Sequence, residues 1–436
     1  MFKFPISSPA GAYGWRPVLI MAALFFSIGF VTWLNGPLIT FVQVAFNLSD
    51  VASFLVPVCF YLAYFVFSLP ATLLSKRIGL RHGLVVSLAI MALGTGLFGE
   101  CVNARWYAGA LSGLTVIGAG LSLLQITINP YVSFLGDHDR AAQRIAIMGV
   151  ANKFAGIVAP ALFAIIVMPH VGDVAASIHN TPAGPERDAI LTGFTNAVHT
   201  PYRVMAGLLG LLAFLVALSS LPEITMEQDI PAQSLGRRRN SLRLATGVLA
   251  MFLYVGIEVL AGDAIGLFGR SYGLSLDVTK YLTAMTLASM MAGYVVGMVV
   301  VPRFINQERY MIVSCIVGVL ICLISLTTHG IAPVLCVALL GFTNAMILPA
   351  LFPIVLAAAG ADGAKATAFL VMAFSGGAVL PQIFVHLIPE LGTTSAFMGL
   401  VIPSYLFIGL WMTVILIKTQ PTLANLVKTP AGAPEA

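Results

Sequence analysis

The sequence is poor in charge. Only 9% of its 436 residues are Asp, Glu, Lys or Arg, against roughly 25% in an ordinary soluble domain, so most of the chain is not built to face water. Cysteine is scarce as well. The five present, Cys59, Cys101, Cys315, Cys322 and Cys336, are odd in number and lack metal-type spacing, which argues against a disulfide framework or a metal site. They read as small apolar packing residues. The phosphate-binding GxxxxGK[ST] and the zinc-type HExxH are missing, and the histidines fall mostly in loops or near helix ends. No catalytic constellation is visible, so no enzyme and no metal are expected. A formal net charge of +5 comes from short basic clusters rather than one aromatic-studded basic face, and nucleic acid is not an expected partner.

Apolar residues are abundant instead, at 59% of the chain. A spanning helix needs about 20 mostly apolar residues to cross a hydrocarbon core of roughly 30 Å. About twelve such stretches recur, at 17–46, 52–75, 83–100, 106–135, 143–169, 202–221, 242–269, 279–302, 310–328, 331–359, 366–388 and 395–418. They are long and continuous, without the two-residue alternation of outer-membrane strands, so an all-α membrane protein is predicted. The run after Lys3 and Arg16 is too long for a signal peptide and lacks a small-residue cleavage site, and reads as an uncleaved first helix.

Loops on the cytoplasmic side of a membrane carry the excess of Lys and Arg. With both termini inside, sixteen of the 22 basic residues fall on the inner side and five (Arg105, Arg187, Arg203, Arg270, Lys280) on the outer side. Lys153 is left over. It lies nine residues past Arg144, at the inner end of its helix, which puts it about 13 Å deep. Its stem does not easily reach either interface from there, so it needs a buried partner or a wet cavity.

Two polar segments interrupt the apolar pattern, 170–201 and 222–241, the second containing "PEITMEQD" and "GRRRN". The second divides the chain into six-helix bundles at 1–221 and 242–418, joined by a cytoplasmic linker at 222–241 and followed by a cytoplasmic tail at 419–436. A weak repeat supports duplication. At an offset of 221 residues Gly120 matches Gly341, Arg144 matches Lys365, Gly156 matches Gly377 and Pro160 matches Pro381; the last two pairs form one GxxxP in each half. Chance matching of common membrane-helix residues is the competing reading. Two six-helix halves in the same orientation describe the major facilitator architecture, with its site between the halves near the midplane.

Polar groups at membrane depth are costly unless partnered, and so they mark where function is to be sought. In "GFVTWLNGPLI" Pro37 should open the helix beside Asn35 and Gly36, either as a binding site or as a packing kink. In "LLQITINPYV" Gln125 and Asn129 are four residues apart, on one face of a helix that Pro130 should break. Amides both donate and accept, which suits a ligand made of hydroxyls. Asn152 and Asn344 are weaker candidates of the same kind. Glu258 lies deep in the seventh helix and is the candidate functional acid, whereas Asp263, nearer the outer end, reads as a gate or a solvated end residue.

The segments "FFSIGFVTWLNGPLI", "FYLAYFVFSLPATLLSKRIGLRHG", "GAGLSLLQITINPYVSFLG", "FLYVGIEV" and "NAMILPALFPIVL" resemble the fucose–galactose–glucose:cation symporter family of the major facilitators, and the glucose/galactose branch in particular. The fucose branch has an acid where this chain has Gly36 and a glutamate where it has Gln125, so its mechanism does not carry over simply. The glucose/galactose branch looks similar at Gln125, Asn129 and Glu258, which implies a neutral hexose bound by amides with Glu258 near the site; Asn35, Asn152 and Asn344 join the candidate sugar contacts from their own sequence contexts, and Lys153, Glu258 and Asp263 are the candidates for coupling and charge. Lys153 departs from the family's small polar residue, and an ammonium has the charge of a bound sodium ion. The expected protein is an alternating-access sugar transporter of the bacterial inner membrane: a lipid-embedded monomer without cofactor, coupled to sodium or protons, with Lys153 replacing or modulating the ion. Alternatives are an uncoupled facilitator, a drug or metabolite exporter of the same fold, and a non-transporting sensor.

Overall fold

The computed structural model describes residues 15–134, 141–219, 221, 241–301, 303–356 and 363–419. The expected linker at 222–241, apart from Ser241, and almost all of the tail at 419–436 lie outside them. Twelve helical spans are long and apolar enough to cross a membrane.

The first span is split into α1 (Trp15–Thr32) and α2 (Asn35–Ala45), and the second into the short α3 (Asp50–Ser53) and α4 (Leu55–Ile78). Ser49 caps α3, its hydroxyl accepting from the Ala52 amide, and Gly79, at φ 81°, ends α4 in a conformation open to glycine. Then follow α5 (Leu80–Asn103), α6 (Tyr107–Phe134), α7 (Ala141–Ile166), the short α8 (Val171–Asn180) and α9 (Pro185–Leu218). In the second half, span seven is α10 (Ser241–Asp263) continued by α11 (Ile265–Ser271), and span eight is α12 (Leu276–Thr279) with α13 (Leu282–Val300). Span nine is α14 (Gln307–Thr327), and span ten is broken into α15 (Ala332–Asn344) and α16 (Ile347–Leu356). Span eleven comprises α17 (Gly363–Met372), a 3-10 turn (Ala373–Ser375) and α18 (Gly376–Leu391), and α19 (Thr393–Thr419) closes the bundle.

Within the first half α1 packs on α7, and α5 on α6 and α9; within the second α13 packs on α15, and α14 on α19. The halves meet where α7 lies along α13 and where α4 runs beside α17 and α18.

Two expectations are corrected. The segment 170–201 is largely helical: α8 occupies its start, and α9 begins at Pro185, seventeen residues ahead of the predicted boundary. Proline at the first helical position costs no hydrogen bond. The 34-residue α9 is about 51 Å long at 1.5 Å per residue, so its polar turns project beyond a roughly 30 Å core. Ion pairs fasten those turns to α5 and its C-terminal turn: Arg203 and His199 meet Glu100 at 2.8 and 3.1 Å, and Arg105 meets Asp188 at 2.9 Å. The second correction concerns Pro130, where α6 is unbroken from Tyr107 to Phe134. Membrane helices absorb an internal proline where neighbours re-satisfy the freed carbonyl.

Pro37, by contrast, stands in the first turn of α2, just after the break at Trp33 and Leu34. That is the position where its missing N–H is not needed, so the helix reopens ahead of it.

Candidate functional site

Lys153 of α7 and Glu258 of α10 meet across the interface between the halves. The ammonium donates to Glu258 Oε1 at 2.8 Å, with Lys153 6% and Glu258 7% exposed. A buried charge of either sign is stable only with its partner, and here the partners come from opposite halves. The Lys153 Nζ also lies 4.4 Å from the centroid of the Trp33 ring, within range of a cation–π contact. Room for that ring comes from two glycines. A Cβ at Gly156 or at Gly262 would come within 2.6 Å of it, so Trp33 at the α1/α2 break fills a slot between α7 and α10.

From Glu258 a polar chain leads into the second half. The Tyr254 hydroxyl lies beside Glu258 and donates to the Asn344 carbonyl at 3.2 Å, while the Tyr405 hydroxyl donates to Asn344 Oδ1 at 2.7 Å and lies 2.9 Å from Thr343 Oγ1. Asn344 thus sits fully buried at the α15/α16 break, its side-chain oxygen engaged and its Nδ2 without a partner.

The remaining amides occupy the first half. On α6, Asn129 Nδ2 donates to the Gln125 carbonyl at 2.9 Å and to Gln125 Oε1 at 3.3 Å, so the two amides do share a face. On α7, Asn152 Nδ2 donates to the Phe25 carbonyl at 3.2 Å, tying α7 to α1. Asn35 opens α2, is 1% exposed, keeps an unpartnered Nδ2 and has the Tyr61 hydroxyl beside its side chain. Asp263 ends α10 at the helix break, is 2% exposed and so is not a solvated end residue. Its carboxylate lies beside the Gly36 amide, yet neither oxygen forms a well-shaped hydrogen bond.

Trp33, Tyr61 and Tyr254 were not singled out from the sequence. Aromatics in apolar runs give no periodic signal of function, and only the break at Pro37 hinted at Trp33.

One end of the bundle, carrying α3, α8 and α12, is closed by a second set of polar contacts, three of which cross between the halves. Asp50 accepts from Arg270 at 3.1 Å and from Gln43 at 2.5 Å. Lys280 donates to the Met168 carbonyl at 2.9 Å and to Asp277 Oδ1 at 2.9 Å, and the Gly172 amide donates to Asp277 Oδ2 at 3.2 Å. Among the described residues there is no cluster of three His, Cys, Asp or Glu able to hold a metal ion.

The family model of the Major Facilitator Superfamily matches residues 21–381. The chain is 30% identical to the glucose/galactose transporter of Brucella abortus over 87% of this chain and 89% of that one. It is 25% identical to the L-fucose–proton symporter of Escherichia coli K12 over 84% and 85%. Among solved structures, the major facilitator transporter FucP in its outward conformation superposes with a TM-score of 0.73 at 22% identity, covering 93% of this chain and 99% of that one. With twelve apolar spans in this arrangement, the chain is an integral membrane protein that belongs to the Major Facilitator Superfamily, a family of transporters rather than enzymes.

Proposed function

We propose that the protein carries a neutral hexose of the glucose/galactose type across the bacterial inner membrane by alternating access, as a monomer with both termini cytoplasmic. The carrying observation is the composition of the central site. Lys153 and Glu258 cancel each other's charge across the halves and Trp33 lays an apolar face beside them; this reading assigns the donors and acceptors for sugar to the amides of Asn35, Gln125, Asn129, Asn152 and Asn344. A self-neutralised ion pair together with amides suits an uncharged polyhydroxylated ligand better than a lipophilic cation. The 30% identity to a glucose/galactose transporter supports the same substrate class. On this orientation the α3/α8/α12 end faces outward and is shut, the arrangement expected after substrate has entered from outside.

In this reading the Lys153 ammonium occupies the place of a coupling sodium ion beside Glu258, so the wild-type protein works without sodium. Uptake of labelled glucose and galactose into proteoliposomes, with sodium and proton gradients imposed separately, tests it. Saturable hexose uptake without sodium is the expected result, and selective binding of cationic dyes over sugars would point to an exporter. Lys153→Ser should leave Glu258 unpaired and ready to take sodium. Its uptake should become at least ten-fold sodium-stimulated while KM for sugar moves less than about three-fold. Unchanged ion dependence in this variant would overturn the built-in cation.

A further inference from the structure

Lys153 and Glu258 satisfy each other, but Asp263 has no such partner. Its carboxylate is 2% exposed and both oxygens lack a hydrogen bond. Facing it are Glu258 on its own helix, the Gly36 amide from α2 and Tyr61 from α4, whose hydroxyl lies in turn beside the Asn35 side chain. The nearest basic group further along the chain, Arg270, is bound to Asp50, and the Lys153 ammonium is bound to Glu258. A bare carboxylate at this depth carries a cost of several kcal/mol that a proton removes.

The same place also offers a home to the ionised form. Asp263 lies beside the Gly36 amide in the first turn of α2, where a helix leaves its first N–H groups without intrahelical partners. The positive end of α2 therefore presents the Gly36 amide and its partial charge to Asp263. A small displacement of α2 would turn proximity into hydrogen bonds that favour the anion. The donors belong to the first half and the acid to the second. Any rocking of one half on the other changes the distance between them, and with it the relative stability of the two protonation states. That dependence is what couples a proton to a conformational cycle.

We propose that Asp263 is the proton carrier of the transport cycle: it binds one proton from the outer solution, holds it in the closed arrangement and releases it inward with the sugar. No other bond is made or broken, and because the sugar is neutral each turnover moves one positive charge. This rests on the reading of the chain as a sugar transporter and adds the identity of the ion and its site.

The test uses the full chain in proteoliposomes containing a pH-sensitive dye, with D-glucose and D-galactose as probes. Two processes are followed: exchange of labelled for unlabelled sugar at equal concentrations, and acidification of the lumen when sugar enters. Wild type is expected to do both. Asp263→Asn should retain exchange within about three-fold, while proton entry and accumulation driven by an inward proton gradient fall at least ten-fold. Asp263→Glu, which restores a carboxyl, should regain proton entry with a displaced pH profile. Sugar exchange by wild type without proton entry overturns this inference and leaves the transport reading standing. Proton entry that persists in Asp263→Asn overturns it as well, as does a folded Asp263→Asn protein that has lost exchange along with proton entry. Absence of any sugar exchange in wild type overturns the transport reading and this inference together.

Discussion

Replacing Glu258 by Gln should be the most damaging single change in the central site. It leaves the buried Lys153 ammonium without an anionic partner, facing an uncharged amide and the Trp33 ring, and breaking a buried pair by removing one charge costs about 3–5 kcal/mol. A fall in thermal stability of the detergent-solubilised protein and at least a ten-fold loss of sugar uptake are expected. The double variant Lys153→Met with Glu258→Leu removes both charges at once. Hydrophobic replacement of a whole buried pair is often close to neutral for stability, so the double variant should melt well above Glu258→Gln while remaining inactive. If the single variant is as stable as the double, the two groups do not depend on each other as their geometry requires.

Gly36→Asp is the second large effect, because it introduces the acid that the fucose branch carries at this position. A Cβ there would stand 2.3 Å from Thr283 Oγ1 and 2.9 Å from its methyl carbon, a separation real atoms do not adopt. Overpacking of this kind costs about 1–3 kcal/mol. The new carboxyl would in addition stand close to Asp263, a second acid in a dry place where the two cannot both ionise. Uptake should fall at least ten-fold. Gly36→Ala separates the causes, since it carries the clash without the charge and should be rescued by Thr283→Ala. Gly36→Asp in the Thr283→Ala background should recover less. Full activity of Gly36→Asp in the unaltered background would show that α2 and α13 are not packed as described.

The twelve spans, the kink ahead of Pro37 and the depth of Lys153 are legible in the sequence because each follows from a local rule: length of apolar run, a missing amide hydrogen, distance from a helix end. The extent of α9 is not, since its outer turns are polar and gain their hold from Glu100, which is 99 and 103 residues away from His199 and Arg203. Nor is the Lys153–Glu258 bond, whose partners are 105 residues apart and on different halves. The breaks after Asp263 and Asn344 have no proline at the point of rupture, and only the three-dimensional neighbours identify them. Asp263 itself was placed too near solvent by counting residues along a helix, because helix ends in this bundle are covered by elements such as α2 that counting does not see.

The paired GxxxP segments bear on how far the two halves are interchangeable. Gly156 makes room for Trp33 of its own half, and Gly377 for Tyr61 of the opposite half, each at under 3 Å from an added Cβ. The glycines are equivalent under the repeat, but the rings they accommodate stand on the first and second spans, which are not. Exchange of sequence between the two gene halves would preserve each glycine while separating it from its ring. Likeness in sequence between the halves is therefore not likeness in use, and each glycine can change only alongside the particular ring it accommodates.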